Sequence, residues 1–473
     1  MSQISVLTPQ LRWCIYFLLI TIATGAMLGR VLAVNSVDLV ALESHLHREG
    51  RKDWQRQRPF LSANDRSRWA TVRALVERGT YAIDDIVAER GWDTIDMVKH
   101  RDRDDEEHLY SSKPPLFATL MAGPYWLINR ATGATLADQP YEIGRLLLVL
   151  INVVPLLGYF VLLARLADRF GRTDWGRLYM MAAAVSGTFL TTFVITINNH
   201  IPAAVCVGIT LYAATRIWYD GERSLRYFAI AGFFGALAVT NELPALSMFA
   251  LLSAALVWKA PRETVTAYLP MALVVAAAAF GTNYIAHDSL RPPYAHRSET
   301  NPADNWYDFS YVRDGRTRES YWRDPVGVDR GEPSAARYAL HATIGHHGIL
   351  SLTPVWILSI WGLALLWKTP GQRQLALFIA ILSITCLAFY LSRPQMDRNY
   401  GGMTSGFRWM FWFAPMWLVA LLPAADRLST SRVGRGFALV LLGLSVLSAS
   451  YPTWNPWTHP WLWNLFAYLG IIA

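Results

Sequence analysis

Long apolar blocks alternate with short polar connections along most of the chain. About 20 consecutive apolar residues are enough for a helix to cross the hydrocarbon core of a bilayer. Eleven blocks approach this length, and we interpret each of them as a membrane span. They are residues 11–33, 143–164, 178–197, 201–218, 227–240, 243–258, 265–286, 350–367, 375–391, 407–422 and 437–450. The pattern predicts an all-α polytopic membrane protein with about 11 spans.

Two long polar segments interrupt the apolar blocks. Their charged residues are costly to place in hydrocarbon, so we expect both segments to lie outside it. The chain is therefore predicted to have five parts. They are a first transmembrane span (1–33), a long outer-face loop with amphipathic and re-entrant helices (34–142), a transmembrane bundle (143–287), a second outer loop (288–346) and a C-terminal bundle with an aromatic interfacial tail (347–473).

Composition and charge support a membrane location. Hydrophobic residues make up 53% of the 473 residues and charged residues 16%, which lies outside the usual range of soluble proteins. Lys and Arg are concentrated in alternate short connections, and such loops remain cytoplasmic. The net charge of +8 follows from this topology and requires no nucleic-acid partner. The basic connections contain Arg165, Arg169, Arg172 and Arg177; Arg216, Arg223 and Arg226; Lys259 and Arg262; Lys368 and Arg373; and Arg427, Arg432 and Arg435.

This orientation places the N-terminus inside and both long polar segments outside. A further apolar block, residues 114–128, would invert the loops that follow if it crossed the membrane. We therefore interpret this block as a re-entrant or interfacial helix on the outer face. Pro114 and Pro115 suit the first turn of such a helix, where the missing N–H would be unpaired anyway.

An acidic residue, Asp65, precedes a short run with helical periodicity. Trp69, Val72 and Val76 recur at helical spacing and Gly79 follows as a stop, which predicts an amphipathic helix along the outer surface. Two interpretations of Asp65 remain open. It is a helix N-cap, which stabilises a helix by about 1 kcal/mol, or it is a carboxylate held beside the membrane as a general base.

Four short motifs resemble elements of one superfamily of membrane enzymes. D-R-S-R-W-A (65–70) is similar to the D-E-x-R-Y-A element in the first outer loop of the GT-C superfamily, and Y-S-S-K-P-P-L (110–116) is similar to its later K-P-P-L element. I-G-R (143–145) and Y-G-G-M-T-S-G-F-R-W (400–409) also resemble elements found there. Within the superfamily, the chain most resembles the branch of the lipid A aminoarabinose transferase and the protein O-mannosyltransferases.

The resemblance implies a GT-C-like bundle whose outer loops enclose a site for a polyprenyl-phosphate-linked sugar. Asp65 takes the position of the catalytic aspartate, which would deprotonate an acceptor hydroxyl for attack with inversion at the anomeric carbon. Arg68 and Lys113 match basic residues expected near the donor phosphate, and Arg408 trails the glycine-rich element. Arg66 stands where the family often has Glu, which shifts the local charge toward binding a phosphate. Fixed cations would stabilise the charge that develops on the leaving phosphate.

Polar residues in two short outer turns are candidates for the substrate cavity. Polar groups at that depth are costly unless they pair or line a wet cavity, although an ordinary turn with satisfied polar groups is the alternative. With residues of the motifs above, the expected cavity residues are Tyr110, Arg145, Asn198, Asn199, His200, Glu242 and Tyr400. We name no metal ligand, because the histidines of residues 341–347 lack a partner at ligand spacing. The sequence identifies no cofactor, and a divalent metal is compatible with the chemistry.

Three classes of function remain open from the sequence. A glycosyltransferase is favoured by the acid and the cations on one face, with a polyprenyl-phosphate-linked sugar, an unidentified acceptor and membrane lipid as partners. A lipid-linked saccharide flippase or transporter is the alternative, and it would need polar residues along the span centres, which are mostly apolar. The third class is a non-catalytic assembly or sensor protein. The expected location is the bacterial inner (cytoplasmic) membrane, with a cytoplasmic N-terminus and the site on the periplasmic face.

Overall fold

The structure, a computed structural model, describes residues 7–33, 50, 60–89, 91–452 and 454–472. Most of the predicted outer loop before Phe60 therefore lies outside the described residues. Helices dominate the remainder. They are α1 (Pro9–Ala33), α2 (Ala63–Glu77), α3 (Asp84–Ala88), α4 (Pro115–Thr132), α5 (Pro140–Phe170), α6 (Asp174–Ser186), α7 (His200–Tyr219), α8 (Leu225–Asn241), α9 (Leu243–Lys259), α10 (Pro261–His287), α11 (Ala335–Thr343), α12 (Ile349–Leu352), α13 (Trp356–Lys368), α14 (Arg373–Leu391), α15 (Arg408–Leu428), α16 (Arg432–Ser450) and α17 (Trp461–Tyr468).

Seven helices in the described part of the chain are long and apolar enough to cross a membrane: α1, α5, α7, α10, α14, α15 and α16. Helices α8, α9 and α13 are apolar but shorter, with 10–17 residues each. The prediction of a helical, multi-pass membrane protein is confirmed in this coarser form. The count of about 11 spans is not confirmed.

The predicted span at residues 178–197 is interrupted. Helix α6 has only 13 residues and ends at Ser186. Residues 187–199, which follow it, contain no helix except one 3-10 turn, Phe193–Ile195. Threonine hydroxyls are frequent in this stretch, and they compete for backbone carbonyls in ways that disfavour a continuous helix. Thr188 Oγ1, for example, donates to Ala184 O at 3.3 Å. The result is irregular backbone inside the bundle, which we call the broken segment (residues 187–199).

The buried amide of Asn152 supports the broken segment. Its Nδ2 donates to Val194 O and to Thr196 O, both at 2.9 Å. Asn152 lies in a π turn of α5, Val149–Val153, and such turns often occur at functional positions in helices. Backbone carbonyls away from water need a partner inside the protein. Asn152 supplies one donor group to two of them.

The two polar segments carry two short β-hairpins, which the sequence did not predict, in a chain that is otherwise mostly helical. Each hairpin is a two-stranded antiparallel sheet. The strands are β1 (Met97–Arg101), β2 (Glu107–Ser111), β3 (Ser310–Arg313) and β4 (Arg316–Glu319). The backbone N–H of Lys99 donates to Trp306 O at 3.0 Å. The first hairpin therefore packs against the second polar segment.

Helix α2 is enclosed by protein. Ser62 is its N-cap, and the Ser62 hydroxyl accepts a hydrogen bond from the backbone N–H of Asp65 at 3.1 Å, so the N-cap interpretation of Asp65 was wrong. Residues 65–74 are all buried, so the prediction of a surface amphipathic helix was wrong as well. The helix ends at Glu77, close to the predicted stop at Gly79, which has a positive φ of 72°.

The apolar block at residues 114–128 forms helix α4, which is 18 residues long. The helix begins at Pro115 as predicted, and Gly133 follows it in the left-handed conformation typical of a helix C-cap. Helix α4 packs against α2 and α10. It is not among the seven helices that could span a membrane in the described part of the chain, and its re-entrant placement stays a prediction.

Several basic connections contact one another at one end of the bundle. Arg12, near the start of α1, forms ion pairs with Asp168 at 2.7 Å and with Asp174 at 3.0 Å, in and after the last turn of α5. Arg169 of the same connection forms an ion pair with Asp220, which follows α7. A topology with these loops on one side of a membrane requires such a grouping.

We expect Asn152→Leu to lower the free energy of unfolding by about 2 kcal/mol, because two buried carbonyls lose their donor. Chemical denaturation in detergent micelles measures this change. Asn464→Leu, which replaces an exposed amide, is the control and should have the stability of the wild type within about 0.5 kcal/mol. Equal stability of the two variants would show that the broken segment does not depend on this amide.

Candidate active site

Asp65 is buried at the start of α2, with 1% of its surface exposed. Its Oδ1 accepts hydrogen bonds from the backbone N–H of Ile197 at 2.8 Å and from Trp69 Nε1 at 3.1 Å. Its Oδ2 accepts one from the backbone N–H of Leu61 at 3.2 Å. The contact with Ile197 joins α2 to the broken segment. The position of the carboxylate is thus fixed from two elements that are distant in sequence.

Arg68 follows Asp65 by about one helical turn and faces the turn that begins α7. Its Nη2 donates to Asn199 Oδ1 at 2.9 Å, and its Nη1 donates to Asn64 Oδ1. The side-chain amide of Asn199 continues this contact, because Nδ2 donates to Glu242 Oε1 at 2.8 Å. The two short outer turns predicted to line a cavity therefore meet each other and α2.

A continuous chain of hydrogen bonds runs from Arg68 to Arg408, and we call it the relay. From Asn199 it passes to Glu242, whose Oε1 also contacts His200 Nδ1. Arg408 Nη1 lies 2.8 Å from His200 Nε2. An arginine can only donate, so Nε2 of His200 accepts and its Nδ1 carries the proton that is donated to Glu242. The relay is a polar bridge with a buried arginine, Arg68, at one end and a half-buried one, Arg408, at the other.

Arg408 is held by the glycine-rich element that precedes it. Its Nε donates to Gly401 O at 2.6 Å, and its guanidinium lies over the Trp457 ring, 5.0 Å from the centroid. Gly401 has a φ of +100°, and a Cβ there would lie 2.6 Å from Arg408 Nε. Only glycine fits this position without moving the arginine.

Lys113 is fixed by a carboxylate that the sequence did not indicate. Its Nζ forms an ion pair with Asp96 Oδ1 at 2.9 Å. The hydroxyl of Ser67 on α2 bonds to Asp96 O and to Ser111 Oγ. Ser67 belongs to α2, between Arg66 and Arg68. Its contacts therefore hold the hairpin that precedes Lys113 directly against α2.

Arg68 and Lys113 line one cleft between α2, the end of β2, α4 and the last residue of α10. The cleft has a cavity volume of about 10 Å³, and about 260 Å³ of empty space when the part open to the surroundings is included. Its walls are formed by Arg68, Thr71, Tyr81, Ser111, Lys113, Pro114, Pro115, Ala118 and His287. The cleft wall contains two cations, two small residues with hydroxyl groups and a histidine. This composition suits a phosphate and hydroxyl groups.

Burial shifts the pKa values of the acids and bases in this region. Burial raises the pKa of Asp65 to about 7 and that of Glu242 to about 8, against the opposing effect of nearby arginines. Burial, together with the nearby Arg408, lowers the pKa of Arg68 to about 10. Asp96 is different, because burial raises its pKa but Lys113 and the arginines outweigh burial and lower it. At neutral pH the site therefore has an excess of positive charge.

Two of the predicted site residues bind backbone. Arg66 donates from Nε to Asp93 O at 2.8 Å and from Nη1 to Phe60 O at 3.1 Å, so these contacts hold the chain on both sides of α2. Asn198 Oδ1 accepts from the first N–H groups of α7, and its Nδ2 donates to two carbonyls of the broken segment. The structure gives both residues a role in holding the backbone near the site.

Three other predicted residues lie in neighbouring aromatic packing. Tyr110 stacks on His100 with centroids 4.3 Å apart, and Tyr400 stacks on His347 at 4.5 Å. The Arg145 guanidinium lies 5.9 Å from the Tyr141 centroid. Of the predicted site residues, only Arg68 and Lys113 line the cleft.

Sequence reasoning missed Asp96, Asn64 and His287. Asp96 precedes a strand and pairs with a lysine 17 residues later, a separation that becomes visible only when β1 and β2 are recognised as a hairpin. Asn64 is the residue before the candidate acid, and its neighbourhood could have drawn attention. His287 ends an apolar block far from the motifs, and no sequence signal connects it with them.

In the part of the chain that the structure describes, no group of three or more His, Cys, Asp or Glu side chains could hold a metal ion. Comparison with protein-family models and with curated protein sequences found no match to this chain.

Proposed function

We propose that the protein is an integral-membrane inverting glycosyltransferase of the GT-C type, which transfers a sugar from a polyprenyl-phosphate donor to an acceptor at the outer face of a membrane. The observation that carries the proposal is the proximity of one buried acid to a buried arginine, Arg68, and to two half-buried cations, Lys113 and Arg408. Asp65 lies one turn from Arg68, Arg68 shares a cleft with Lys113, and the relay joins Arg68 to Arg408. About 340 positions separate the first and the last of these residues.

Asp65 is the proposed general base. A base with a pKa close to the working pH is both sufficiently deprotonated and sufficiently strong, and burial gives Asp65 a pKa of about 7. In the proposed reaction its carboxylate accepts the proton of the acceptor hydroxyl, whose oxygen forms a bond to the anomeric carbon. The bond from that carbon to the phosphate oxygen breaks, and the phosphate leaves with the electron pair. A single displacement of this kind inverts the anomeric configuration.

The cations are proposed to bind the donor phosphate and to stabilise it as it leaves. Arg68, Lys113 and Arg408 face two acids other than the base, Asp96 and Glu242. Because the pKa of Glu242 is raised to about 8, its charge is largely suppressed at neutral pH. The remaining positive charge is a reason for an anionic ligand to enter a site that is otherwise buried.

The membrane setting fits a lipid-linked donor. The seven candidate spans and the shorter apolar helices would keep the prenyl chain in an apolar environment beside the polar site. The proposal includes the bacterial inner membrane, with the basic connections on the cytoplasmic side and the site on the periplasmic face. A lipid-linked saccharide flippase would use the same phosphate contacts but would not need a general base, so the two functions differ in what Asp65 must do.

We expect Asp65→Asn to reduce sugar transfer by at least about a hundredfold, because general-base catalysis contributes roughly 10² to 10⁴ in rate. Transfer of radiolabelled sugar from a panel of polyprenyl-phosphate sugars, in detergent, measures this loss. Asp85→Asn changes an exposed acid on the nearby α3 and is the control. Full activity of Asp65→Asn would remove this residue from the mechanism, and movement of the lipid across vesicles without transfer would favour the flippase.

The same carboxylate predicts the pH dependence. Only the deprotonated form is a base, so turnover should fall roughly tenfold per unit as the pH drops below the Asp65 pKa of about 7. A pH profile of the wild type and of the residual activity of Asp65→Asn tests this expectation. The decline should be missing from the variant, and identical profiles would assign the titration to another group.

We expect Lys113→Met to weaken binding of polyprenyl phosphate about tenfold or more, because a charged hydrogen bond contributes roughly 1.5–3 kcal/mol. The variant leaves the Asp96 carboxylate without its lysine, so the double variant Asp96→Asn/Lys113→Met separates lost attraction from new repulsion. Lys99→Met in the same hairpin is the control, since Lys99 pairs with Glu107 at 2.6 Å. Unchanged affinity in the double variant would exclude Lys113 from the phosphate site.

A further inference from the structure

His287, the last residue of α10, is a buried histidine in the wall of the cleft. It is 5% exposed, and its Nδ1 lies 3.0 Å from His100 Nε2. Its other ring nitrogen, Nε2, is buried without a hydrogen-bond partner among the described residues. Buried polar atoms are rarely left unpaired, and an unpaired one in a cleft is a reason to look for a ligand.

The hydrogen bonds of His100 determine which nitrogens carry protons. His100 Nδ1 lies 2.8 Å from Arg101 O, and a carbonyl can only accept, so this nitrogen carries a proton. Burial lowers the pKa of His100, and His296 nearby lowers it further despite the Arg101 carbonyl. A neutral His100 has no second proton, so its Nε2 is an acceptor. The Nδ1 of His287 must then be the donor.

The remaining nitrogen of His287 follows from this assignment. With its proton on Nδ1, a neutral His287 has a lone pair on Nε2. His287 is buried, and burial disfavours a second, charging proton on this ring. Arg68 and Lys113 line the same cleft. His287 is therefore a neutral hydrogen-bond acceptor in a cleft whose charged wall residues, Arg68 and Lys113, are cations.

Aromatic packing holds the two histidines in this arrangement. The His100 ring stacks between Trp306, at 4.0 Å, and Tyr110, at 4.3 Å. The Tyr110 ring also meets His287 edge-on at 5.2 Å. Trp306 belongs to the second polar segment, so both polar segments contribute to the orientation of His287. A site residue supported in this way is well placed to make a directional contact.

We propose that His287 Nε2 accepts a hydrogen bond from a sugar hydroxyl of a ligand whose phosphate contacts Arg68 and Lys113. The inference rests on the proposed function and names the part of the donor that this wall recognises. A hydroxyl can donate to the lone pair, whereas an ionised phosphate oxygen cannot. His287 therefore favours the sugar-bearing lipid phosphate over the bare lipid phosphate that remains after transfer, which assists release of that product.

The experiment compares two lipids in the full-length protein. The dissociation constants of polyprenyl phosphate and of its hexose and pentose esters are measured in detergent. The wild type should bind at least one sugar ester about tenfold more tightly than the bare lipid, the gain expected for one well-formed hydrogen bond to a buried group. In His287→Phe that ratio should fall to about one, while the affinity for bare polyprenyl phosphate is retained.

Two further variants make the result decisive. His459→Phe, a half-buried histidine stacked on Trp463, is the matched control and should keep the wild-type ratio. His100→Phe leaves His287 in place but removes the nitrogen that fixes its proton, so it should lower the same ratio. It also keeps the test valid if His287→Phe does not fold.

The failure of this inference is distinct from failure of the proposed function. A wild-type ratio of one, or a ratio that survives in His287→Phe or His100→Phe, overturns the role of His287. The proposed function fails instead if the bare lipid phosphate does not bind, or if Lys113→Met does not weaken its binding.

Discussion

Backbone that is not helical must find hydrogen-bond partners within the protein when it lies among membrane spans, and this constraint determines where the site forms. The broken segment meets it with side chains from other elements. Asn152 pairs two of its carbonyls, and the carboxylate of Asp65 accepts the N–H of Ile197. The carboxylate of Asp65 therefore stabilises the broken segment. The same bond that satisfies irregular backbone fixes the carboxylate beside α7, where the relay begins.

The second constraint is charge. Arginines close together in a poorly solvated region repel each other, and each needs its own partners. Here Arg68 and Arg408 are connected through groups that are neutral or nearly so, because Asn199 and His200 carry no charge and the pKa of Glu242 is raised to about 8. The relay orients both guanidinium groups without cancelling their charge. The region therefore keeps an excess of positive charge.

Local patterns in the sequence predicted part of this arrangement, and the rest depends on contacts between distant segments. Apolar blocks predicted the helices because burial in a membrane needs length and hydrophobicity, which are local properties. Asp65, Arg68, Lys113 and Arg408 were selected by motif and predicted side. The end of the helix at Ser186 was missed, because an uninterrupted run of apolar residues and threonines has the length and hydrophobicity of a membrane span. His287 was missed because its orientation and protonation depend on a hydrogen bond with His100, 187 positions away.

The glycine-rich element positions Arg408 through its unusual backbone conformation. Tyr400, Gly401 and Gly402 have consecutive φ values of +59°, +100° and +85°, a path that L side chains rarely follow. For Tyr400 this conformation costs about 1 kcal/mol, and stacking of its ring on His347 offsets that cost. The turn brings Gly401 O to Arg408 Nε at 2.6 Å. In the structure Tyr400 holds the turn that positions the arginine, and its expected place in a substrate cavity stays a prediction.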